Sequence, residues 1–194
     1  MITLRQAGSD AEFDTARLLL REYAAYLNSS VGEEHICLKE YEQEVAGLPG
    51  VYAAPRGTIL LAWSGNRAAG CILLKPLVES IGRARSVTDP GESACEMKRL
   101  WVRPEFRGLG VGMTLAVKLI EYARQQNYGA MYLDTVPSAM QSANAIYRKL
   151  GFVPVERYTV NPVLGANPEV AVEYFRLNLL EASLRGSGKN QVAQ

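Results

Sequence analysis

The sequence lacks the residues on which several common catalytic centres depend. Its 194 residues include a single histidine, His35. A Ser-His-Asp triad would therefore need that one residue, and a metal site with several histidines is excluded. His35 stands beside two glutamates in GEEHICLKE, a context typical of a surface position at the start of a helix. We therefore predict no metal site and expect the chemistry to come from other groups.

Cysteine and net charge are also low. The three cysteines, Cys37, Cys71 and Cys95, are widely spaced and stand in apolar contexts, so they do not indicate a disulfide framework. This pattern favours a reducing compartment, the cytoplasm. The formal net charge of +1 gives no basic excess that would attract nucleic acid or an anionic membrane surface. We predict neither partner and expect a monomer or a homodimer.

Long apolar runs are missing as well. No run approaches the roughly 18 residues of a membrane-spanning helix, and the beginning of the sequence shows no signal-peptide pattern. The length and the 48% apolar content suit one compact domain with a sizeable core. We predict a single domain over residues 1–181 and a polar, disordered tail over residues 182–194.

The first half of the sequence predicts a strand, two helices and a hairpin. MITLRQA reads as a strand, and the following helix has Ser9 or Asp10 as its N-cap. A shorter helix, ICLKEYEQEVAGL, ends at Pro49. The apolar runs TILLAWS and AAGCILLKPL flank Gly65-Asn66-Arg67, which favours an antiparallel hairpin. Residues 78–94 show no periodicity and are predicted to form a loop.

The second half predicts a strand, helix, strand, helix and two closing strands. CEMKRLWV is strand-like, and a helix runs from the glycine-rich stretch to about Asn127. The nearly continuous apolar run AMYLDTV predicts a strand covered on both faces and a parallel crossover. In PSAMQSANAIYRKLG, Ser138 and Gln141 have capping-box spacing and Gly151 suits the C′ position. FVPVER and VAVEYFRLNLL close the fold. The helix that follows the glycine-rich stretch is predicted to have an apolar face that comprises Met113, Ala116, Ile120 and Ala123.

RGLGVG, from Arg107 to Gly112, stands at the start of the first of these helices. A helix N-terminus presents unpaired N–H groups and a partial positive charge, so it favours anions. The glycines leave room for a ligand, and the arginine adds a planar cation suited to phosphate. Met113 excludes a dinucleotide-binding G-x-G-x-x-G, and no Gly-Lys-Ser/Thr of a P-loop follows. The alternatives are a diphosphate site and a turn with no ligand.

The segments KRLWVRPEFRGLGVG, MYLDTV and SANAIYRKLGF resemble the GNAT acyltransferases, which use acetyl-coenzyme A. The family's acyl-CoA signature, Arg/Gln-x-x-Gly-x-Gly/Ala, is matched by Arg107, Gly110 and Gly112. The resemblance is sharp for residues 95–153 and topological for the rest of residues 2–181. It implies an α/β (α+β) fold, with a mixed, mostly antiparallel central sheet, one βαβ crossover and flanking helices.

The resemblance also implies where acetyl-CoA binds as a co-substrate. Its pantetheine arm would lie beside the strand residues Leu100, Trp101 and Val102, where the central strands splay apart. Backbone N–H groups there would also stabilise the oxyanion of the reaction. Its diphosphate would bind the backbone of seven consecutive residues: Arg107, Gly108, Leu109, Gly110, Val111, Gly112 and Met113.

Tyr147 is the predicted catalytic acid. A tyrosine with a pKa near 10 can protonate a thiolate whose pKa is about 8.5. Asn144 lies three residues earlier on a neighbouring helix face and, by the resemblance, contacts the cofactor. The alternative is a tyrosine packed at the seam between helix and sheet. The buried stripe of this helix is predicted to comprise Ala139, Ala143, Ile146 and Leu150.

Glu96 is the predicted catalytic base, at a strand position where some relatives carry a glutamate. A surface ion pair with Lys98 would explain it equally, and a water chain can replace a base. Cys95 is interpreted as a small buried residue rather than a nucleophile.

The predicted function is transfer of an acetyl group from acetyl-CoA to a primary amine of a small molecule or peptide, by direct attack. Loops 78–94 and 158–170 would build the acceptor pocket, with Tyr158 and Asn161 as lining residues. A non-catalytic acyl-CoA sensor is the alternative from another class. An oxygen nucleophile and a longer acyl donor also remain open.

Overall fold

The computed structural model describes residues 1–31, 38–77, 93–159 and 171–180. These residues form seven strands and four α-helices. The strands are β1 (Ile2–Gln6), β2 (Thr58–Ser64), β3 (Arg67–Pro76), β4 (Ala94–Val102), β5 (Ala130–Thr135), β6 (Val153–Val155) and β7 (Glu173–Asn178). The helices are α1 (Asp10–Val31), α2 (Leu38–Ala46), α3 (Val111–Gln125) and α4 (Gln141–Lys149). Predictions for His35, Cys37, Asn161, the tail, residues 78–92 and residues 160–170 lie outside the described residues.

All seven strands join one mixed sheet in the order β1-β2-β3-β4-β5-β7-β6. Every neighbouring pair is antiparallel except β4 and β5, which are parallel and connected through α3. The expected fold class is therefore confirmed. The predicted hairpin is also confirmed, since Ser64 pairs with Arg67 and Gly65 turns the chain at a φ of +58°.

Helices cover both faces of the sheet. α3 and α4 pack on one face, where Leu115, Leu119 and Phe175 are fully buried. α1 and α2 pack on the other face around Leu19 and Tyr41. The predicted apolar face of α3 is buried at Ala116, Ile120 and Ala123, whereas Met113 is only partly buried.

The start of α1 is fixed by a reciprocal capping box. The Ser9 hydroxyl accepts a hydrogen bond from the Glu12 amide at 3.4 Å, and Glu12 Oε2 accepts from the Ser9 amide at 3.1 Å. Two amides that the helix cannot pair are thereby satisfied. Of the two predicted N-cap residues, Ser9 and Asp10, it is Ser9 that makes the capping bonds.

The prediction for the start of α4 is wrong. The N-cap is Met140, with no side-chain capping bond, and Ser138 lies before the helix. The reason is a turn after β5, in which the Val136 carbonyl accepts from the Ala139 and Met140 amides at 3.2 and 2.9 Å. At the other end, Gly151 follows the C-cap with a φ of +89°, as predicted.

The predicted buried stripe of α4 is confirmed only in part. Ala139 is buried but precedes the helix. Ala143, Ile146 and Leu150 pack against the core but are only partly buried, whereas the helix buries Asn144 and Tyr147. Ala143 and Ile146 border an open cleft.

β4 contains one extra residue relative to β3. Cys71 pairs with Trp101, but Leu73 pairs with Lys98, and Arg99 has a φ of +58°. This is a β-bulge, which bends and twists the strand that carries it. On its other side β4 pairs with β5 only over residues 94–96. Beyond Glu96 the two parallel strands separate and open the sheet.

Candidate functional site

An open cleft of about 670 Å³ lies where β4 leaves β5. β4 contributes Leu100, Trp101 and Val102, and the residues around the start of α3 form the facing wall. The remaining lining comes from Tyr26, from Phe106 and from residues 138–146, which lead into α4 and form its first turns. The residues from the glycine-rich stretch and the α4 segment are Arg107, Gly108, Gly110, Val111, Gly112, Met113, Ser138, Ala139, Met140, Gln141, Ser142, Ala143, Ala145 and Ile146.

The backbone before and within the first turn of α3 presents a run of unpaired amides. Among residues 1–31, 38–77, 93–159 and 171–180, none accepts a hydrogen bond from the amides of residues 108–113. The Thr114 amide is the first to be paired, with the Gly110 carbonyl at 3.0 Å. Such amides favour an anion, and the macrodipole adds partial positive charge.

The three glycines of this stretch have different physical roles. Gly108 and Gly110 both have a φ of +78°, which residues with a side chain rarely adopt, and a Cβ at either would meet no atom within 4 Å. A Cβ on Gly112 would lie 3.0 Å from Ile146 Cδ1 and 3.6 Å from Val102 Cγ2. Gly112 therefore permits close packing of α3 on α4 and β4, and no side chain fills the space in front of the amides.

Arg107 lies on the wall of the cleft. Its guanidinium carbon is 4.8 Å from the ring centroid of Tyr26 and 5.0 Å from that of Trp101. Its Nε donates to the Val102 carbonyl at 3.1 Å. Aromatic rings attract a cation placed over their faces, so these contacts hold the guanidinium close to the amides.

Tyr26 connects α1 to the segment before α4. Its hydroxyl donates to the Ala139 carbonyl at 3.1 Å, while its ring contacts Trp101 at a centroid distance of 5.3 Å. Sequence reasoning missed this residue. It occupies an ordinary amphipathic position of α1, and no local pattern distinguishes it from the other tyrosines.

A smaller cavity of about 40 Å³ adjoins the cleft through the shared lining residues Leu100, Met140 and Ala143. This volume exceeds the roughly 15 Å³ that one water needs. The other residues that line it are Tyr23, Leu27, Met97, Lys98, Arg99, Asp134, Thr135, Val136 and Tyr147.

Tyr147, the predicted acid, lies on the wall of this inner cavity and is 6% exposed. Burial raises its pKa, and the nearby Tyr23 and Asp134 raise it further. Its ring packs edge-on against Phe152 at a centroid distance of 5.8 Å. In the described part of the chain, no residue accepts a hydrogen bond from its hydroxyl. The phenol is therefore held in its protonated form beside the cleft.

Asn144 shares the buried face of α4 with Tyr147, but it lines neither the cleft nor the inner cavity. Its Oδ1 is buried, and none of the described residues donates a hydrogen bond to it. Its contact with the cofactor therefore stays a prediction.

Glu96 lies in a buried network and is only 2% exposed. Its Oε2 lies 3.1 Å from Lys75 Nζ, and its Oε1 lies 3.2 Å from Lys98 Nζ. The Tyr158 hydroxyl donates to Oε1 at 2.9 Å. The alternative of a surface ion pair with Lys98 is wrong, because the pair exists but is buried. Glu96 does not line the inner cavity.

Lys98 also contacts Asp134, with Nζ 2.5 Å from Oδ1. Burial alone lowers the pKa of Lys98, but the carboxylates of Asp134 and Glu96 outweigh that effect and raise it. Lys98 is therefore a buried cation between two carboxylates. Sequence reasoning missed Asp134. The signal was one carboxylate within the apolar run AMYLDTV, since an acid in a covered strand needs a partner or a function.

Cys95 and Cys71 are fully buried and line neither the cleft nor the inner cavity. Burial raises the pKa of the Cys95 thiol and raises that of Cys71 to about 12. Both thiols are therefore protonated at neutral pH, which agrees with the interpretation of Cys95 as a buried residue.

None of the helices in the described part of the chain has the length and apolar content of a membrane span. The same residues contain no group of three or more His, Cys, Asp and Glu side chains that could hold a metal ion.

The model of the acetyltransferase (GNAT) family matches residues 14–152. The chain is 30% identical over 169 residues to an uncharacterized N-acetyltransferase of Schizosaccharomyces pombe, covering 87% of this chain and 89% of the relative. It is 32% identical over 118 residues to N-acetylaspartate synthetase of Danio rerio, covering 56% of this chain and 40% of that protein. Among solved structures, it is similar to YncA of Salmonella typhimurium, solved with its cofactor acetyl-CoA, with a TM-score of 0.60, 16% identity and coverage of 100% and 98%.

Proposed function

The chain belongs to the acetyltransferase (GNAT) family and is an acyltransferase, and on that premise we propose that it transfers an acetyl group from acetyl-CoA to a primary amine of a small molecule or peptide. The amine attacks the thioester directly, with no acyl-enzyme. The observation that carries this proposal is the run of unpaired amides at residues 108–113, which opens into the cleft beside the unpaired edge of β4.

The residues of the cleft fit acetyl-CoA. The amides of residues 108–113 would bind its diphosphate, and Arg107 adds positive charge next to them. The edge of β4 at Leu100, Trp101 and Val102 has no β5 partner, so it can hydrogen-bond to the pantetheine arm. When bound, acetyl-CoA supplies an acetyl thioester, a carbonyl activated toward an amine. Unpaired β4 amides near that carbonyl would stabilise the developing oxyanion.

Tyr147 is the proposed acid. It lines the inner cavity, which adjoins the cleft in which the thiolate would depart. Its raised pKa keeps it protonated through the neutral range. A protonated phenol beside a developing thiolate can contribute about 10²- to 10⁴-fold in rate.

The acceptor class follows from chemistry and from one relative. N-acetylaspartate synthetase of Danio rerio is named for an acetylated amino acid, so amino acids head the acceptors to be screened. Polyamines, aminoglycosides and peptide amines complete the panel. We propose that the enzyme acts in the cytoplasm without a nucleic-acid or membrane partner.

Two measurements test the proposal. Calorimetry with CoA and acetyl-CoA should show binding, and millimolar ligand should raise the melting temperature. Incubation of acetyl-CoA with the amine panel should release CoA faster than the enzyme-free control for at least one amine. If neither CoA nor acetyl-CoA binds, the result would support the alternative that the glycines at residues 108–112 only shape a turn. Binding with no CoA release for any amine would support the acyl-CoA sensor instead.

A further inference from the structure

The inner cavity contains a single carboxylate among its described lining residues, that of Asp134. The same cavity holds Tyr147, and it joins the cleft through Leu100, Met140 and Ala143. Asp134 therefore lies on the wall where the reactive end of a ligand bound along β4 meets the proposed acid. Among the described residues that line the cavity, Asp134 is the one carboxylate that an acceptor nitrogen could contact there.

Glu96 is poorly placed to receive a proton from an acceptor. Its side chain is as buried as that of Asp134, at 2% against 3% exposed, but it lies outside the cavity lining and contacts Lys75, Lys98 and Tyr158. An acceptor would have to displace at least one of these groups to touch it. The direct contact of Glu96 is with Lys98, and that lysine in turn holds Asp134.

We propose that Asp134 contacts the acceptor nitrogen and takes its proton, and that Lys98 and Glu96 are positioning residues that act through it. This inference rests on the function proposed above. As the amine nitrogen bonds to the thioester carbon, the nitrogen gains positive charge and the carbonyl becomes an oxyanion. The nitrogen loses a proton to Asp134. The carbon–sulfur bond then breaks, Tyr147 protonates the thiolate, Asp134 returns its proton to water in the cleft, and Tyr147 regains a proton from water.

The charges around Asp134 suit this role. A buried carboxyl without a cation tends to be protonated, and a protonated acid cannot accept another proton. Lys98, at 2.5 Å, favours the carboxylate form, and its own raised pKa keeps it charged. Glu96 holds Lys98 from the other side at 3.2 Å.

The other titratable groups around Asp134 come from every element packed against it. Arg99 of β4, Tyr23 of α1 and Tyr147 of α4 line the same cavity. Tyr174 of β7 pairs with Asp134 across the sheet, and Tyr158 lies close enough for the acid to influence its pKa. Burial raises the pKa of each of these tyrosines, so all four are neutral at neutral pH.

The test uses Asp134→Asn, Glu96→Gln and the wild-type enzyme with whichever amine of the panel gives the fastest CoA release. Asp134→Asn should lower kcat/KM at pH 7 by about 10²-fold or more. Its activity should keep rising with pH even when the acceptor amine is fully unprotonated, because hydroxide must then take the proton, whereas the wild-type activity reaches a plateau there. Glu96→Gln should shift the wild-type profile but retain its plateau.

Two controls separate this role from a loss of structure. Calorimetry measures the affinity of the acceptor amine for the enzyme–CoA complex. For Asp134→Asn this affinity should fall by about tenfold, which is the effect of losing a hydrogen bond to a charged group. Acetyl-CoA affinity should be unchanged. Because Asp134→Asn leaves Lys98 without one carboxylate, the double variant Lys98→Met/Asp134→Asn provides a second chain with no base and no orphaned cation.

The outcomes distinguish the inference from the proposed function. If the wild type releases CoA but Asp134→Asn keeps its rate and plateau, Asp134 is not the proton acceptor and the proposed function stands. Recovery of activity in the double variant, or loss of the plateau in Glu96→Gln alone, would also overturn the inference. If the wild type accepts no amine, both fail together.

Discussion

The Tyr26 hydroxyl donates a 3.1 Å hydrogen bond to the Ala139 carbonyl, so α1 is tied to the segment that leads into α4 across one side of the cleft. Tyr26→Phe should remove this bond and keep the ring under Arg107. We expect a loss of about 0.5–1.5 kcal/mol in unfolding free energy, measured by urea denaturation. Acetyl-CoA affinity should fall as well, because the cleft wall loses a support. An unchanged affinity would show that the bond does not shape the site.

Gly112 lies at the closest contact between α3 and α4. In Gly112→Val, the added side chain would meet Ile146 Cδ1 and Val102 Cγ2, since a Cβ alone already lies 3.0 and 3.6 Å from them. We expect overpacking to cost about 1–3 kcal/mol and to weaken acetyl-CoA binding in calorimetry. Gly8→Ala is the matched control, because a Cβ there meets nothing within 4 Å and its φ is not positive. If both variants bind equally, the contact is not critical.

Gly110 tests backbone conformation separately from packing. Its φ is +78° and its surroundings are open, so Gly110→Ala adds strain without a clash. The left-handed conformation costs about 1–2 kcal/mol for a residue with a Cβ. We expect that loss in denaturation and a weaker acetyl-CoA affinity, because the amides around residue 110 would be reoriented. A variant as stable and as tightly binding as the wild type would contradict the proposed cradle.

Tyr147→Phe should keep acetyl-CoA binding and slow turnover by about 10²-fold or more, the scale of general acid catalysis. The pH dependence has a defined sign. The acid must be protonated to act, and burial raises its pKa above the usual value of about 10. Activity should therefore not fall through this group below about pH 10, and any loss should lie above it. Steady-state kinetics would remove Tyr147 from the mechanism if turnover were unchanged.

Glu44 holds the bulge of β4 to α2. Arg99 donates to its two carboxylate oxygens at 3.1 and 2.7 Å, and the arginine side chain is 5% exposed. Glu44→Gln would leave a buried guanidinium poorly paired, at a cost of about 3–5 kcal/mol in chemical denaturation. Glu42→Gln is the control, since Glu42 and Arg21 form an exposed pair worth about 0–1 kcal/mol. Similar losses in the two variants would contradict this account.

The same ion pair predicts how stability depends on pH. Burial alone raises the pKa of Glu44, but Arg99 outweighs it, so the folded pKa is lowered. The stabilisation is therefore complete above the unfolded pKa of about 4.3 and is lost as the pH falls through the folded value. Denaturation series between neutral pH and pH 3 should show a smaller acid-induced loss for Glu44→Gln than for the wild type.

Much of the fold could be predicted because its signals are local. Apolar periodicity marks α3, a glycine turn marks the β2–β3 hairpin, and a capping residue, Ser9 or Asp10, marks the start of α1. The prediction for α4 was wrong because a tertiary turn at Val136 used the residues that the capping-box spacing had favoured. Spacing shows which bonds are possible but not which competing bond forms.

The residues of the candidate site also fall into two groups, those that the sequence indicates and those that only the folded chain shows. The residues around Gly110 could be found because a contiguous motif encodes them. Tyr26 could not be found and Asp134 was marked only as an acid within an apolar run, because the partners of both residues lie far away in sequence. Lys98 lies 36 residues from Asp134, and Ala139 lies 113 residues from Tyr26. Only the folded chain shows these partners.

The extra residue at Arg99 reverses the alternation of side chains along β4. Before it, Cys95 and Met97 face α3; after it, Leu100 takes that direction and Trp101 turns toward α1. Removing the bulge while keeping every residue of β4 would therefore exchange the directions of Leu100 and Trp101, placing the indole among the aliphatic side chains under α3, whereas deleting Arg99 together with the bulge would leave both directions unchanged. The strand's odd count thus determines which side chain each half of the molecule receives, and an engineer who regularised β4 would invert that assignment.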